Sequence, residues 1–469
     1  MMLPIPTTSS SSSSSSSDCT DSLSDCEVGF VLLRDCFASS LSQIRAAAAS
    51  ADDEESLDEV VKDIKATMSE RLGRIEELTT GNSSNRTELG DLGCCELILS
   101  IIRAFPNDAT LVERSCLVAA NLAYSSTNKT KLGAAGFCEA VLETLRFHAL
   151  SSTASVVKMV CWCSINLSAS HKDNAARLGR AGGVEMFRDA LGRHSAEEGV
   201  VQWALLALAY LCTPECPANV QRADESGLLV SEVFATLQRH RMNAGIAQEA
   251  LHVLAAVAVG CASASSNSES RCCKCNDRLA VIHEAQLAMA AHWASKEVCR
   301  WGCAVLEIFV SQSPYLDTSD AGRAIDSVLA ACQQHPSSTV TEQACRALES
   351  LLAVQGITTR QMSAAAASAT VTTVVHAITW SSAKSLATTR SAMKSLARLS
   401  ENASAVEKVF SMGGYEHVIE SAEAHIADYD VAHMCCTALR HACEGRLSLH
   451  CFTYSEPADG LVVVYDDGW

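Results

Sequence analysis

One nine-residue pattern recurs along this chain at nearly constant intervals. Three copies begin at Asn85, Asn128 and Asn174 and follow Asn-x-x-x-Leu-Gly-x-x-Gly, with a glutamate three residues after the last glycine. A fourth copy, from Asn219, keeps its last glycine, Gly227, but loses the first glycine and the glutamate. The last glycines are 43, 46 and 45 residues apart. A period of this size predicts a solenoid of stacked helices, in which each repeat buries its core against its neighbours.

Each position of the pattern has a physical role. We expect the asparagine to cap a short first helix by accepting hydrogen bonds from its free backbone N–H groups. The leucine is expected to point into the core, and the last glycine to end the helix in a left-handed conformation. The predicted second helices are Leu97–Phe105, Val141–His148 and Met186–Gly192, and the predicted third helices contain the apolar runs Cys116–Leu122, Val160–Leu167 and Trp203–Leu211.

The C-terminal half repeats less regularly. Gly413-Gly414-Tyr415-Glu416 matches Gly182-Gly183-Val184-Glu185, and Gly413 lies 186 residues after Gly227. That distance is close to four intervals, which predicts three degenerate repeats in between. Helical patterns at Arg300–Val310, Thr341–Val354 and Thr389–Leu399 fit their third helices. The sequence therefore predicts about eight repeats over residues 81–450.

The segments outside the array have different compositions. Residues 1–17 end in a threonine and serine tract that cannot bury a core, so we expect a disordered leader. Residues 18–80 contain two helical patterns, Glu27–Ala48 and Ser56–Thr79, the second with apolar residues at three-and-four spacing. They predict a helical hairpin that caps the array, with a short coiled coil as the alternative. Residues 451–469 are interpreted as a tail.

The net charge and the cysteine content indicate which classes of partner and which cellular compartment the protein favours. The formal net charge of −18 disfavours nucleic acids and anionic membranes and favours basic partners. The longest apolar run, Leu251–Cys261, is shorter than a membrane span. Many of the 23 cysteines lie in apolar helical patterns, where free thiols behave as small hydrophobes. With a start unlike a signal peptide, these features predict a reducing compartment, the cytoplasm, with a cytoskeletal or nuclear location as alternatives.

The repeated pattern and the three-helix rhythm resemble the armadillo repeat family, found in β-catenin, importin-α and many cytoplasmic scaffolds. The third-helix runs that end Asn121-Leu-Ala-Tyr124 and Asn166-Leu-Ser carry the same resemblance. It implies an all-α fold, a right-handed α-solenoid of about eight three-helix repeats with the helical hairpin as a cap. It also implies a concave groove that holds extended peptides, in which third-helix asparagines bond the peptide backbone and a tryptophan stands one turn earlier.

One repeat has both the tryptophan and the asparagine of this pair, and two neighbouring repeats have one of the two residues each. Trp162 and Asn166 are four residues apart and share a helix face. Asn121 matches the asparagine, with Leu117 in the tryptophan position, and Trp203 matches the tryptophan, with Ala207 in the asparagine position. The predicted partner-binding residues are Asn121, Tyr124, Trp162, Asn166, Trp203 and Tyr210. The alternative is that the asparagines bond loop carbonyls within the solenoid and that the aromatic side chains belong to the core.

Neither metal binding nor catalysis is predicted. The cysteine cluster Cys272-Cys273-Lys274-Cys275 is the best metal candidate, but its spacing is cramped for zinc and favours an exposed, oxidation-prone loop. The sequence contains no nucleophile elbow, phosphate-binding loop or His-Glu-x-x-His motif. The 14 histidines are interpreted as scattered. We therefore expect no cofactor and no enzymatic activity.

Two functions from different classes fit this sequence. The first is a scaffold or adaptor that binds extended or basic segments of other proteins on the concave face. The second is a structural component of a large cytoskeletal or ciliary assembly that uses the convex face and the ends. Acidic and aromatic residues on the concave face would favour the first, and a neutral groove with apolar ends would favour the second. The sequence leaves the oligomeric state open.

Replacing Gly136 with valine tests the predicted corner. A β-branched residue resists positive φ, so we expect a loss of about 1–3 kcal/mol in the free energy of unfolding. Neighbouring repeats should share the damage because each buries its core against the next. Thermal unfolding measures the effect, and an unchanged melting temperature would show that Gly136 is not a helix-terminating corner.

Overall fold

The computed structural model describes residues 24–446 except 51–53, 149–153, 228–231, 265–274, 314–315, 337–338, 355–362, 382–384 and 426. The serine and threonine tract, the tail 451–469 and the first three residues of the cysteine cluster, 272–274, lie outside these residues. The described chain forms 23 α-helices and no strand. The predicted all-α class is confirmed.

The first two helices form the predicted hairpin. They are α1, Asp25–Ser50, and α2, Glu54–Thr79, and they pack against each other. Leu33 from α1 and Met68, Leu72 and Ile75 from α2 are fully buried. Apolar residues at three-and-four spacing thus place one face of α2 in the core. The hairpin packs on the first helices of the array and covers its N-terminal end.

The remaining helices form eight repeats. The first helices are α3 Ser83–Asp91, α6 Ser126–Ala135, α9 Lys172–Arg180, α12 Pro217–Glu225 and α21 Ala403–Ser411. The second helices are α4 Cys94–Ala104, α7 Phe137–His148, α10 Gly183–Arg193, α13 Phe234–Arg239, α15 Cys275–Ala291, α17 Thr318–Gln334, α19 Ala364–Ser381 and α22 Gly414–Ala424. The third helices are α5 Ala109–Leu122, α8 Ala154–Ser168, α11 Glu198–Leu211, α14 Ala244–Ala264, α16 Lys296–Ser311, α18 Thr339–Leu352, α20 Leu386–Leu399 and α23 Tyr429–Arg446.

The third helices make one continuous layer. Each packs against the third helix of the next repeat, from α5 through α8, α11, α14, α16, α18 and α20 to α23. Helix α2 packs on α5 in the same manner and so extends the layer by one helix. We call the solvent-facing side of this layer the third-helix face.

Repeats five to seven differ from the predicted three-helix unit. In the described residues they consist of the pairs α15–α16, α17–α18 and α19–α20. Their second helices have 17, 17 and 18 residues, whereas α4, α7 and α10 have 11, 12 and 11. The sequence of these repeats lacks the Leu-Gly-x-x-Gly corner. Because that corner ends the short first helix, its loss accounts for the longer second helices that the described residues show in these repeats.

The predicted glycine corners are confirmed. Gly93, Gly136 and Gly182 have φ values of 97°, 93° and 91°, in the left-handed region that side chains with a Cβ resist. Gly413 has φ 65° and starts α22 in the same way. The pattern leucines Leu89, Leu132 and Leu178 are fully buried, as predicted.

The predicted capping role of the pattern asparagine is wrong. The N-cap residues of the first helices lie three residues before the pattern asparagines and are Asn82, Ser125, His171 and Cys216. The asparagine instead lies in the first turn of the helix and donates hydrogen bonds to backbone carbonyls. Asn174 Nδ2 donates to Leu167 O and to Lys129 O, both at 3.0 Å. Asn219 Nδ2 donates to Leu211 O at 2.9 Å and to Ala175 O at 3.0 Å.

One of these two bonds crosses to the preceding repeat and explains the first glycine of the pattern. A Cβ on Gly133 would lie 1.9 Å from Asn174 Oδ1, and a Cβ on Gly179 would lie 1.7 Å from Asn219 Oδ1. Gly90 has the same relation to Asn128, at 1.8 Å. Only glycine leaves room for the buried amide of the next repeat. We call this contact the asparagine–glycine brace.

Histidines form a second series of contacts between repeats, which corrects their interpretation as scattered. Six second helices end at or just before a histidine: His148, His194, His240, His292, His335 and His425. Four of these imidazoles, on His148, His240, His292 and His335, bond through Nε2 to Pro106 O, Ser195 O, Arg241 O and Trp293 O of the preceding repeat, at 2.7–3.1 Å. Because a carbonyl only accepts, Nε2 carries the proton.

Cysteines in the apolar helical patterns lie in the core, as predicted. Of the 17 cysteines whose side chains the structure describes, 15 are buried, and all 17 are free thiols. Burial raises the pKa of the Cys95 and Cys138 thiols to about 12, so both remain protonated at neutral pH.

Helix α14 is longer and more apolar than the sequence analysis allowed. Its window Ala244–Cys261 is long and apolar enough to cross a membrane, and 67% of it is buried. It packs between α11 and α16 in the third-helix layer. Its apolar composition is thus that of a core helix.

A double-mutant cycle tests the asparagine–glycine brace. Gly133→Ala should lower the free energy of unfolding by about 1–3 kcal/mol because the methyl group overlaps the Asn174 amide. Asn174→Ala should cost about 1–3 kcal/mol because it removes two buried hydrogen bonds. The double variant should lose clearly less than the sum, since the alanine methyl then occupies the emptied space.

Chemical denaturation of the full chain measures these free energies. Gly322→Ala is the matched control, because nothing lies within 4 Å of the added Cβ in α17. It should be neutral or stabilising, by up to about 1 kcal/mol. Strict additivity of the two brace substitutions would contradict the contact.

Candidate functional site

Three of the four predicted aromatic residues lie on the third-helix face of two adjacent helices. Trp162 on α8 and Trp203 and Tyr210 on α11 are half-buried and pack against the core with one side. Helices α8 and α11 are neighbours in the layer, so their aromatic side chains belong to one surface. Each of these side chains is therefore buried on one side and exposed on the other. The sequence left open whether they belong to the core or to a binding surface, and the structure gives them a share in both.

Asn166 lies one turn after Trp162 and is half-buried. Its Nδ2 atom is inaccessible to solvent and has no hydrogen-bond partner within the chain. Leaving such a donor unpaired costs about 1–3 kcal/mol. The Asn166 amide is therefore a polar group whose hydrogen bonding the described structure leaves incomplete.

Asn121 is placed differently from the prediction. It is only 2% exposed, and its Nδ2 donates to Thr79 Oγ1 at 3.2 Å and to Thr80 Oγ1 at 3.3 Å. The hairpin supplies both acceptors because α2 occupies the place of a preceding third helix. Asn121 thus joins the hairpin to the first repeat, and its amide faces the protein interior.

Tyr124 follows α5 and lies at the edge of the predicted site. It is half-buried, and the guanidinium of Arg86 lies 4.8 Å from the centre of its ring. A cation at this distance is attracted by the ring. Tyr124 therefore already contacts a side chain of the preceding first helix, and it stands apart from the Trp162 and Trp203 surface.

Two functional candidates on α14 were missed by the sequence analysis. The Glu249 carboxylate is buried, and its Oε1 accepts a hydrogen bond from Gln248 Nε2 at 2.8 Å. Its Oε2 has no hydrogen-bond partner and lies 3.5 Å from His252 Nδ1. Glu249 and His252 are three residues apart on one helix face beside the Leu251–Cys261 run, and this spacing was the available signal.

Trp301 continues the aromatic surface onto α16. The His252 ring stacks on it with centroids 3.8 Å apart and an interplanar angle of 16°. The Arg300 guanidinium lies 4.2 Å from the Trp301 ring centre, and Arg300 Nε lies 3.0 Å from a Glu297 carboxylate oxygen. Trp301 is therefore held by side chains of its own chain, unlike Trp162 and Trp203.

Tyr210 links the aromatic and acidic parts of this surface. Burial raises the pKa of its phenol, and the negative charge of Glu249 raises it further. Tyr210 therefore stays neutral at physiological pH. Beyond α16 the face carries paired charges, such as Lys394 Nζ at 3.4 Å from Glu349 Oε1. The aromatic surface is thus limited to the middle of the layer.

The described residues contain no group of three or more His, Cys, Asp or Glu side chains that could hold a metal ion. The aromatic surface between α8 and α16 is therefore the candidate site that the geometry offers. Its parts are half-buried rings, an amide with an unpaired donor and a buried carboxylate, and these suit binding.

No protein-family model and no curated protein matches the chain. Among solved structures, it is similar to one described as "A conserved phosphorylation switch controls the interaction between cadherin and beta-catenin in vitro and in vivo". The TM-score is 0.61 at 14% identity, over 90% of this chain and 83% of that chain. The likeness is one of fold. It agrees with the α-solenoid described above.

Two engineered proteins also match, both at 17% identity. The first has a TM-score of 0.45 and the match covers 62% of this chain and 98% of that chain. The second has a TM-score of 0.39, with coverage of 70% of this chain and 99% of that chain.

Proposed function

We propose that this solenoid is a protein-binding scaffold whose third-helix face, the concave face in armadillo-like folds, holds an extended segment of another protein. The observation that carries the proposal is the Asn166 amide, whose Nδ2 is buried without a partner. Trp162 stands one turn before it, and Trp203 lies on the adjacent helix. Because Nδ2 itself is covered, the half-buried Asn166 side chain has to rotate for a ligand carbonyl to reach it, and the new hydrogen bond then removes the cost of the unpaired donor.

The chemistry of this surface suits a peptide backbone. An asparagine amide can donate to a C=O and accept from an N–H of the same extended chain, which gives a grip independent of sequence. Half-buried tryptophans on either side offer ring faces to the aliphatic stems of the bound side chains. Lysine and arginine add cation–π attraction to this packing.

The net charge favours a basic partner. A chain of charge −18 attracts cationic segments at long range, and this attraction weakens as salt screens it. The aromatic and acidic residues on the third-helix face favour this function over a structural component of a cytoskeletal or ciliary assembly. We also propose a cytoplasmic location, and binding without a catalytic step as the activity.

Substitutions on the third-helix face test the proposal. A peptide-display library is selected on the wild-type chain, and the affinity of the enriched peptides is measured by fluorescence anisotropy. Trp162→Ala and Asn166→Ala should each weaken binding by about tenfold or more, as truncation of a central contact does. The melting temperature of Asn166→Ala should stay near the wild-type value because Asn166 Nδ2 has no hydrogen-bond partner within the chain.

Trp293→Ala is the matched control. Trp293 is 58% exposed and lies between α15 and α16, outside the third-helix face. Its substitution should leave peptide affinity unchanged. Failure of the wild type to enrich any peptide, or full affinity in Trp162→Ala, would contradict the proposed groove. A large loss of stability in Asn166→Ala with peptide binding intact would assign Asn166 to the core.

A further inference from the structure

We infer that the solenoid has a second protein-binding surface, where its second helices connect to its third helices, and that this surface takes an acidic amphipathic helix of a partner protein. At its centre are the exposed side chains of Met242 and Trp293, together with three exposed alanines near them in the chain, Ala244, Ala290 and Ala294. We call these five residues the Met–Trp patch. It lies outside the third-helix face, so the inference goes beyond the proposed groove and does not depend on it.

Large apolar side chains are exposed preferentially where second helices connect to third helices. Among the described residues, nine large hydrophobic side chains are exposed, and five of them lie at the end of a second helix, at the start of a third helix or between the two: Phe147, Met242, Trp293, Leu386 and Tyr429. Single exposed apolar residues are ordinary, whereas their accumulation at one structural position marks an interaction site. The connection recurs once per repeat, so these residues follow one edge of the solenoid.

A hydrogen bond between neighbouring repeats holds Met242 and Trp293 near each other. His292 Nε2 donates to Arg241 O at 2.7 Å. Met242 directly follows the accepting residue in the chain, and Trp293 directly follows the donating histidine. Met242 is 79% exposed and Trp293 is 58% exposed, so both side chains are accessible to a partner. Methionine and tryptophan are enriched in interface cores, where they bury large apolar areas.

The backbone of these connections is already hydrogen-bonded within the chain. Arg241 O and Trp293 O accept from histidines of the next repeat, at 2.7 and 3.1 Å. The N–H groups of Asn243 and Ser295 donate to carbonyls of their own connections, both at 2.8 Å. An extended segment binds a protein through backbone hydrogen bonds, whereas a helix satisfies its own backbone and contributes side chains alone. The Met–Trp patch therefore suits a helix with an apolar face.

Two cations beside the Met–Trp patch determine the charge of that helix. Arg239 ends α13 and Lys296 begins α16, so each borders one of the two connections. Both are exposed, and neither forms an ion pair with a residue that the structure describes. A helix that carries carboxylates next to its apolar residues would pair with them. An anionic membrane would instead bring negative charge against a whole side of a chain of charge −18, which favours a protein partner.

The acidic residues near these cations are engaged within the chain. Glu284 accepts both guanidinium bonds of Arg241, at 2.5 and 2.8 Å, and a Glu297 carboxylate oxygen lies 3.0 Å from Arg300 Nε. The acidic residues 197–198 belong to the connection of the preceding repeat, at the start of α11. They limit the basic part of this edge to the repeats that carry the Met–Trp patch.

A library of helical peptides tests the Met–Trp patch. Peptides of about 20 residues, held helical by side-chain lactam bridges and long enough to span neighbouring repeats, are randomised along one face and selected on the wild-type chain. The enriched peptides should carry apolar residues at three-and-four spacing with aspartate or glutamate beside them. Met242→Ala and Trp293→Ala should each bind them about tenfold more weakly or worse, with wild-type melting temperatures because both side chains are largely exposed.

Charge variants and matched controls sharpen this test. Arg239→Glu and Lys296→Glu should each weaken the enriched peptides by about threefold to tenfold, and less at high salt, where the attraction is screened. Leu279→Ala removes another exposed apolar residue, near the opposite end of α15, and should keep full affinity. Trp162→Ala should also keep it, because Trp162 belongs to the third-helix face.

Several results would overturn the inference. These are the absence of any enriched helix, full affinity of the enriched helices for Trp293→Ala, and a preference for basic helices at the Met–Trp patch. Flotation with vesicles of phosphatidylcholine and phosphatidylserine, and sedimentation over a range of protein concentrations, test the other occupants. Neither vesicle binding nor self-association should depend on Trp293. Vesicle binding lost in Trp293→Ala would assign the patch to a lipid surface, and self-association lost in that variant would assign it to a second copy of the chain.

Discussion

The contact on which this solenoid depends is the asparagine amide that reaches from one first helix into the preceding one. Asn174 bonds the carbonyl of Lys129 and fills the space above Gly133, where a Cβ would collide with it. The pattern therefore encodes a contact between repeats: its asparagine reaches back to one repeat, and its first glycine receives the amide of the next. Since the amide is buried, a shift between repeats would leave it unpaired, so the contact fixes their register.

The rest of the architecture follows from this fixed register between neighbouring repeats. Glycine corners end the first helices, the second helices return, and the third helices stack into one layer from α2 to α23. Histidines at the ends of the second helices bond the preceding repeat at the opposite side of the unit, and they continue where the asparagine pattern is lost. Two series of polar contacts thus hold the third helices side by side, and Trp162, Asn166 and Trp203 become one surface.

The sequence predicted those features that a single repeat determines. The period, the left-handed glycines and the buried leucines depend on local geometry and a hydrophobic spacing, and all three are confirmed. The role of the pattern asparagine and the histidine series were missed because their acceptors lie 42–51 residues away in the chain. Asn121 was misplaced for the same reason, since the threonines of the hairpin provide its partners. Glu249 escaped notice because the repeated pattern does not relate it to Tyr210, its neighbour on the adjacent third helix.

The central claim is that the braced third helices form a binding surface for an extended segment. Photo-cross-linking measures this most directly: a selected peptide carrying one photoreactive residue is irradiated with the full chain, and the linked sites are mapped by mass spectrometry. The account predicts links to α8, α11 and α14, moving along the layer as the photoreactive residue moves along the peptide. Links confined to the second helices, or to α1 and α23 at the two ends, would contradict it.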